Sequence, residues 1–175
     1  YANHNVFLFL GGFCMAIAMQ KWNLHKRIAL YIIRLIGQNQ KQLVMGFMVA
    51  TAFLSMWISN TATTMMMLPI ALAITSHFHK NDSVSSNFST VLLLSIAYSA
   101  SIGGIGTLIG TPPNIVLAGQ MNILFPEIPE IGFFQWMKVG LPLVIIFLPL
   151  VWWYLTSVAI PLKQEPIDDA GGVIN

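Results

Sequence analysis

Charge is what this sequence has least of. Only 8% of its 175 residues are Asp, Glu, Lys or Arg, whereas 56% are hydrophobic, and the mean hydropathy is +0.73. Soluble globular domains carry about 25% charged residues, so the deficit excludes an ordinary water-soluble domain and points to lipid as the solvent. Cysteine is limited to Cys14, which excludes an internal disulfide. A net charge of +2 without a dense basic cluster gives no footprint for nucleic acid. Two long apolar blocks hold no Asp, Glu, Lys, Arg or His, which excludes a proton relay of the usual carboxylate or histidine kind inside them. It also excludes an intramembrane enzyme, which needs a nucleophile with a histidine partner or paired aspartates within the spans. The chain is read as no enzyme.

Polar punctuation divides what is there into apolar blocks. The chain opens with Tyr1 and closes in a polar stretch at Asn175, and it is expected to be a fragment of a longer protein. Residues 1–20 read as a transmembrane helix, slightly short against a hydrocarbon core about 30 Å thick unless it is truncated or flanked by snorkelling residues. Residues 21–42 follow, with Leu24, Ile28, Tyr31, Ile32 and Leu35 on one helical face and Lys26, Arg27 and Arg34 largely off it. This pattern fits an amphipathic arm in the cytoplasmic interface, or alternatively an ordinary cytoplasmic linker helix. Residues 43–76 are too long for one crossing and are broken by Ser59-Asn60-Thr61-Ala62-Thr63-Thr64. Arms over 43–58 and 62–76 are each shorter than the ~20 residues that span a bilayer, and basic residues flank both ends. A re-entrant hairpin entered from the cytoplasm is expected.

A cytoplasmic loop is placed at 77–87. Residues 88–122 form a second uncharged block, interrupted by Gly103-Gly104-Ile105-Gly106 and Gly110-Thr111-Pro112-Pro113-Asn114. Glycines and paired prolines stop a helix, so a discontinuous transmembrane helix with an unwound centre is expected. An extracytoplasmic turn is placed at 123–138, a last span at 139–160 and a cytoplasmic polar segment at 161–175. With this arrangement Lys21, Lys26, Arg27, Arg34, Lys41, Lys80 and Lys163 share one side and Lys138 alone lies opposite, which orients the chain by the positive-inside rule. The expected fold class is an all-α polytopic membrane protein, multi-pass in a plasma (bacterial inner) membrane.

Irregular backbone is tolerated at membrane depth only where protein buries it or it lines a watery cavity. Two such breaks in one short chain point to a binding site. A half-helix starts after each: Asn60 or Thr61 can cap one, and Thr111 can cap the other, with Pro112 at its first position. Their N-termini present free N–H groups and positive dipole ends, which suit an anion. The half-helices that end there offer carbonyls, joined by the Ser55, Ser59 and Asn60 side-chain oxygens, as a neutral cage for a hard cation such as sodium. The bland alternative is that these hydroxyls and glycines only hydrogen-bond or pack between helices. Met65-Met66-Met67 is read as packing, Glu127 and Glu130 as a solvated turn, and the four histidines as interfacial, so no metal other than sodium is expected.

At these breaks the sequence resembles a known family. Ser55-Met56-Trp57-Ile58-Ser59-Asn60-Thr61-Ala62-Thr63-Thr64, then Leu68-Pro69, is similar to the first Ser-Asn-Thr motif of the divalent-anion:sodium symporters, of the bacterial dicarboxylate and sodium:sulfate type. Ser101-Ile102-Gly103-Gly104 and Gly110-Thr111-Pro112-Pro113-Asn114 resemble its broken-helix loop, and Leu10-Gly11-Gly12-Phe13 and Trp22 to Ala29 resemble its upstream segments. The likeness runs from Val6 to Lys163. It implies one half of an inverted-repeat, alternating-access transporter that is a homodimer when full length, with this chain carrying only the first half-site. It implies Ser55, Ser59, Asn60 and Gly110 at a sodium site. It further implies Asn60, Thr61, Thr111 and Pro112 at the substrate. The implied function is sodium-coupled symport of a small divalent anion, a C4-dicarboxylate such as succinate. A sulfate or citrate carrier, or an anion exchanger, remains open on the same scaffold; outside the class stands a channel or structural membrane protein.

Overall fold

The structure is a computed structural model that describes residues 39–77, 84–127 and 129–162, together with positions 7, 10, 11, 14, 17, 18, 21–23, 27 and 31. The expectations for 1–20, for most of 21–42, for 78–83 and for 163–175 lie largely outside the described residues. Regular structure among the described residues is helical: α1 (Gln40–Ser55), α2 (Asn60–His77), α3 (Val84–Ile105), α4 (Pro112–Leu124) and α5 (Phe133–Trp153). α5 runs on as a π-helical segment, Tyr154–Ala159.

α1 is the central element. Leu43, Val44, Phe47, Met48, Ala50, Leu54 and even the hydroxyls of Thr51 and Ser55 are buried, so the helix is covered nearly all round. A helix apolar on every side belongs inside a larger helical assembly. α3 packs along α1, and α2 and α5 pack on the same pair. The closeness of α1 and α3 depends on Gly103, where a Cβ would lie 2.2 Å from the Ala52 carbonyl oxygen and 2.6 Å from its Cα. Only a residue without a side chain permits that approach. At the other end of α1, the Trp152 indole N–H donates to the Lys41 carbonyl at 2.9 Å and ties α5 to the start of the helix.

α5 buries one stripe, Gly140, Val144 and Leu148, spaced four residues apart. Its remaining surface exposes Val139, Ile145, Ile146, Phe147, Leu150 and Trp153. Such a continuous apolar outer face is not a surface for water. Two helical stretches, Asn87–Ile105 and Phe133–Ala159, are long and apolar enough to cross a membrane. α1 and α2, at 16 and 18 residues, are only about 24 and 27 Å long at 1.5 Å per residue.

Several boundaries differ from expectation: α2 covers Asn60–His77 rather than 62–76, α3 begins at Val84 inside the stretch expected to be a loop, and α4 ends at Leu124 rather than 122. The first hairpin arm stops at Ser55 rather than 58, because the Trp57 and Ile58 N–H groups both turn back onto the Leu54 carbonyl at 3.0 Å. The last long helix begins at Phe133, within the stretch expected to be a turn. The Gln135 side chain accepts from the Gly132 N–H at 3.0 Å and starts the helix there. Lys138 marks the edge of the apolar run, not the end of the helix.

Candidate ion and anion site

The turn at 56–59 separates α1 from α2. Ser59 sits at the capping position, with its Oγ accepting from the Ala62 N–H at 3.4 Å. The cap is thus one residue earlier than the expected Asn60 or Thr61, and this leaves the Asn60 amide free to turn inward. Ser55 Oγ stands 2.7 Å from Asn60 Oδ1 and 2.7 Å from the Ala100 carbonyl oxygen, and Ser55 is fully buried. A hydroxyl has one proton, so two acceptor oxygens share one donor, and α1, α2 and α3 meet at that point.

Gly104 lies against the same amide. A Cβ there would be 2.4 Å from Asn60 Oδ1, and a Cβ on Gly110 would be 2.6 Å from the Gly104 carbonyl oxygen. The two glycines let the second break close onto the first. Thr107, fully buried, donates its hydroxyl proton to the Met56 carbonyl and accepts from the Gly110 N–H at 3.1 Å. Asn114, in the first turn of α4, spends both amide hydrogens across the gap. It donates to the carbonyls of Gly104 at 2.9 Å and Thr107 at 2.8 Å. The Trp136 indole takes the Ile105 carbonyl at 2.9 Å. These bonds satisfy carbonyls that the end of α3 leaves without helical partners.

α4 starts as the sequence suggests, with Thr111 in the extended capping conformation and Pro112 next, although the Thr111 hydroxyl makes no capping bond. Among the expected site residues, Ser55, Asn60 and Gly110 are therefore brought together around Gly104. Ser59, Thr61 and Pro112 are exposed and Thr111 is half-buried, each at a helix start. Among the described residues no side-chain hydrogen bond joins these four to the Ser55–Asn60 pair.

The donor set is hydroxyl, amide and carbonyl oxygen, neutral and hard, which suits a monatomic hard cation better than a transition metal. No group of His, Cys, Asp and Glu able to hold a metal occurs among the described residues. Beside the oxygens, the first turn of α2 supplies N–H groups for an anion. α4 does not meet the same expectation, because Pro112 and Pro113 have no N–H and the Asn114 N–H is taken by the Thr111 carbonyl at 3.1 Å. Sequence reading gave no role to Thr107 or Asn114. Their signal is a polar side chain inside an uncharged break, but their partners lie up to 51 residues away.

A family model described as citrate transporter matches residues 1–168. The chain belongs to the citrate transporter family. The sodium-dependent dicarboxylate transporter SdcS of Staphylococcus aureus is 52% identical over 165 residues, in strain NCTC 8325 and equally in strain COL. That match covers 91% of this chain and 31% of each relative, so the chain spans less than a third of the length of the curated relatives it matches. The family is one of transporters, not of enzymes. The likeness drawn from the Ser-Asn-Thr and Gly-Thr-Pro-Pro-Asn motifs extends over nearly the whole chain.

Proposed function

We propose that this chain carries the first half-site of a secondary transporter that moves a small divalent anion, a C4-dicarboxylate such as succinate, together with sodium. The observation that carries the reading is the Ser55 Oγ to Asn60 Oδ1 contact of 2.7 Å, made where the hairpin turn and the broken helix meet. In the loaded state Ser55 gives its proton to the Ala100 carbonyl, so that its lone pairs and Asn60 Oδ1 face sodium, with Ser59 and the Gly110 carbonyl completing the set. The substrate carboxylate takes the Asn60 amide N–H and the N–H groups and hydroxyls at Thr61 and Thr111, with Pro112 shaping the wall. SdcS, a sodium-dependent dicarboxylate transporter by name, supports both the cation and the substrate class. The description of the family model supports citrate as a second reading on the same scaffold.

The two ions hold each other. Unit charges 4 Å apart attract by about 4 kcal/mol at an effective dielectric near 20, and part of that attraction is the coupling. Linkage then makes each ion raise the other's affinity by the same factor. α1 and α2, too short to span, form a re-entrant hairpin whose tip presents this site to alternate sides of the bacterial inner membrane. The full-length carrier works as a homodimer. Asn60→Ala in that carrier removes a ligand common to both ions. Apparent affinities for sodium and for succinate should fall together in uptake assays; a fall in one alone would separate the two sites.

A further inference from the structure

Thr63 departs from the pattern of most buried helix hydroxyls. Thr51, Ser95, Ser99 and Thr156 each donate to a carbonyl three or four residues back. Thr63 is fully buried, yet its Oγ1 has no hydrogen-bond partner. A helical threonine normally has the carbonyl four residues earlier within reach, here that of Ser59, which instead accepts only the Thr63 backbone N–H, at 3.0 Å. A buried polar group without a protein partner calls for an explanation, and a bound water or ion is one. Because the side chain is already covered, the partner has to sit inside the helical cluster.

The position says which kind of partner. Thr63 follows Asn60 by three residues in the first turns of α2, so the two side chains share a face with Cβ atoms about 5–6 Å apart. Helical side chains lean toward the N-terminus of their helix, which aims the Thr63 hydroxyl at the Asn60 turn. There Asn60 Oδ1 meets Ser55 Oγ, and the Ala100 carbonyl oxygen lies 2.7 Å from the same hydroxyl. An anion finds no donor excess among these oxygens; a cation finds several acceptors.

We propose that Thr63 Oγ1 is a further oxygen ligand of the coupling-cation site at the tip of α1 and α2, beyond the oxygens of Ser55 and Asn60. The inference rests on the sodium reading given above. Its test uses the full-length carrier, purified in detergent and also reconstituted in liposomes. Thr63→Val, Thr63→Ala, Thr63→Ser and Ser55→Ala are compared in sodium chloride and in choline chloride. Thr63→Val and Thr63→Ala should raise the sodium concentration for half-maximal succinate uptake by about tenfold. They should also shrink the sodium-induced rise in Tm while leaving the Tm in choline unchanged or higher. Thr63→Ser, which keeps the hydroxyl, should restore most of both responses. If the valine and alanine variants keep the full sodium response while Ser55→Ala loses it, Thr63 is a buried hydroxyl without a ligand and this inference alone fails. If Ser55→Ala also keeps it, the cation site itself is misplaced and both readings fall.

Discussion

Gly104→Ala separates the making of the site from the making of the fold. The added Cβ would lie 2.4 Å from Asn60 Oδ1, 2.9 Å from Nδ2 and 3.0 Å from Cγ, all atoms of one side chain. Asn60 can swing away, at the loss of its bond to Ser55, worth about 0.5–1.5 kcal/mol. Replacing a helical glycine with alanine returns about 0.5–1 kcal/mol. The two nearly cancel, so the Tm of the full-length protein should move by no more than a few degrees. Function has no such compensation, because Asn60 no longer faces either ion. A displaced ligand worth about 1–3 kcal/mol lowers each affinity roughly 5- to 150-fold. Gly103→Ala is the contrast, since its Cβ would meet the Ala52 backbone at 2.2 Å, where nothing can turn aside. Helices α1 and α3 would be forced apart, a cost of about 1–3 kcal/mol or more, read as a clear fall in Tm. The assays are thermal unfolding in detergent and sodium and succinate titrations of uptake in liposomes. Gly104→Ala with wild-type affinities would refute the claim that the placement of Asn60 makes the site.

Asn114→Ala removes two bonds to buried carbonyls that knit α4 to the end of α3. Stability should fall by about 2–3 kcal/mol, seen as a lower Tm in sodium and in choline alike. The re-entrant path is checked with single cysteines at Gln42 and His77 in an otherwise cysteine-free carrier. Both should react with a membrane-impermeant reagent from the cytoplasmic side only, and labelling of the two from opposite sides would overturn the hairpin.

Much of this site was legible because its causes are local. Gly103-Gly104 and Pro112-Pro113 interrupt a helix wherever they occur, and the structure breaks between Ile105 and Pro112. Ser55 and Asn60 were paired in the sequence by chemical type, and a tight turn at 56–59 brings residues five apart into contact. The cap was misplaced by one residue because serine, asparagine and threonine in a row all suit an N-cap, and the hydrogen bond to Ala62 that selects Ser59 depends on the turn geometry. The start of α5 was hidden because a charged Lys138 interrupts hydropathy without interrupting a helix. Thr107 and Asn114 were passed over because their worth lies in long-range partners, the Met56 carbonyl and the Gly104 carbonyl, which spacing does not reveal. Thr63 gave no signal in the sequence, since only a structure shows that its buried hydroxyl lacks the usual backbone partner.

The central claim is that sodium is the coupling ion. With no ionisable side chain of the proton-carrying kind in 43–76 or 88–122, the neutral oxygens of Ser55 and Asn60 have no proton to take up on substrate binding. The most direct measurement is succinate uptake by the full-length carrier in liposomes, with sodium and proton gradients imposed one at a time. An inward sodium gradient at equal pH should drive accumulation, and a proton gradient in sodium-free buffer should drive none. Accumulation by the proton gradient without sodium would contradict the account, and the ligand roles given to Ser55, Ser59, Asn60 and Gly110 would fall with it.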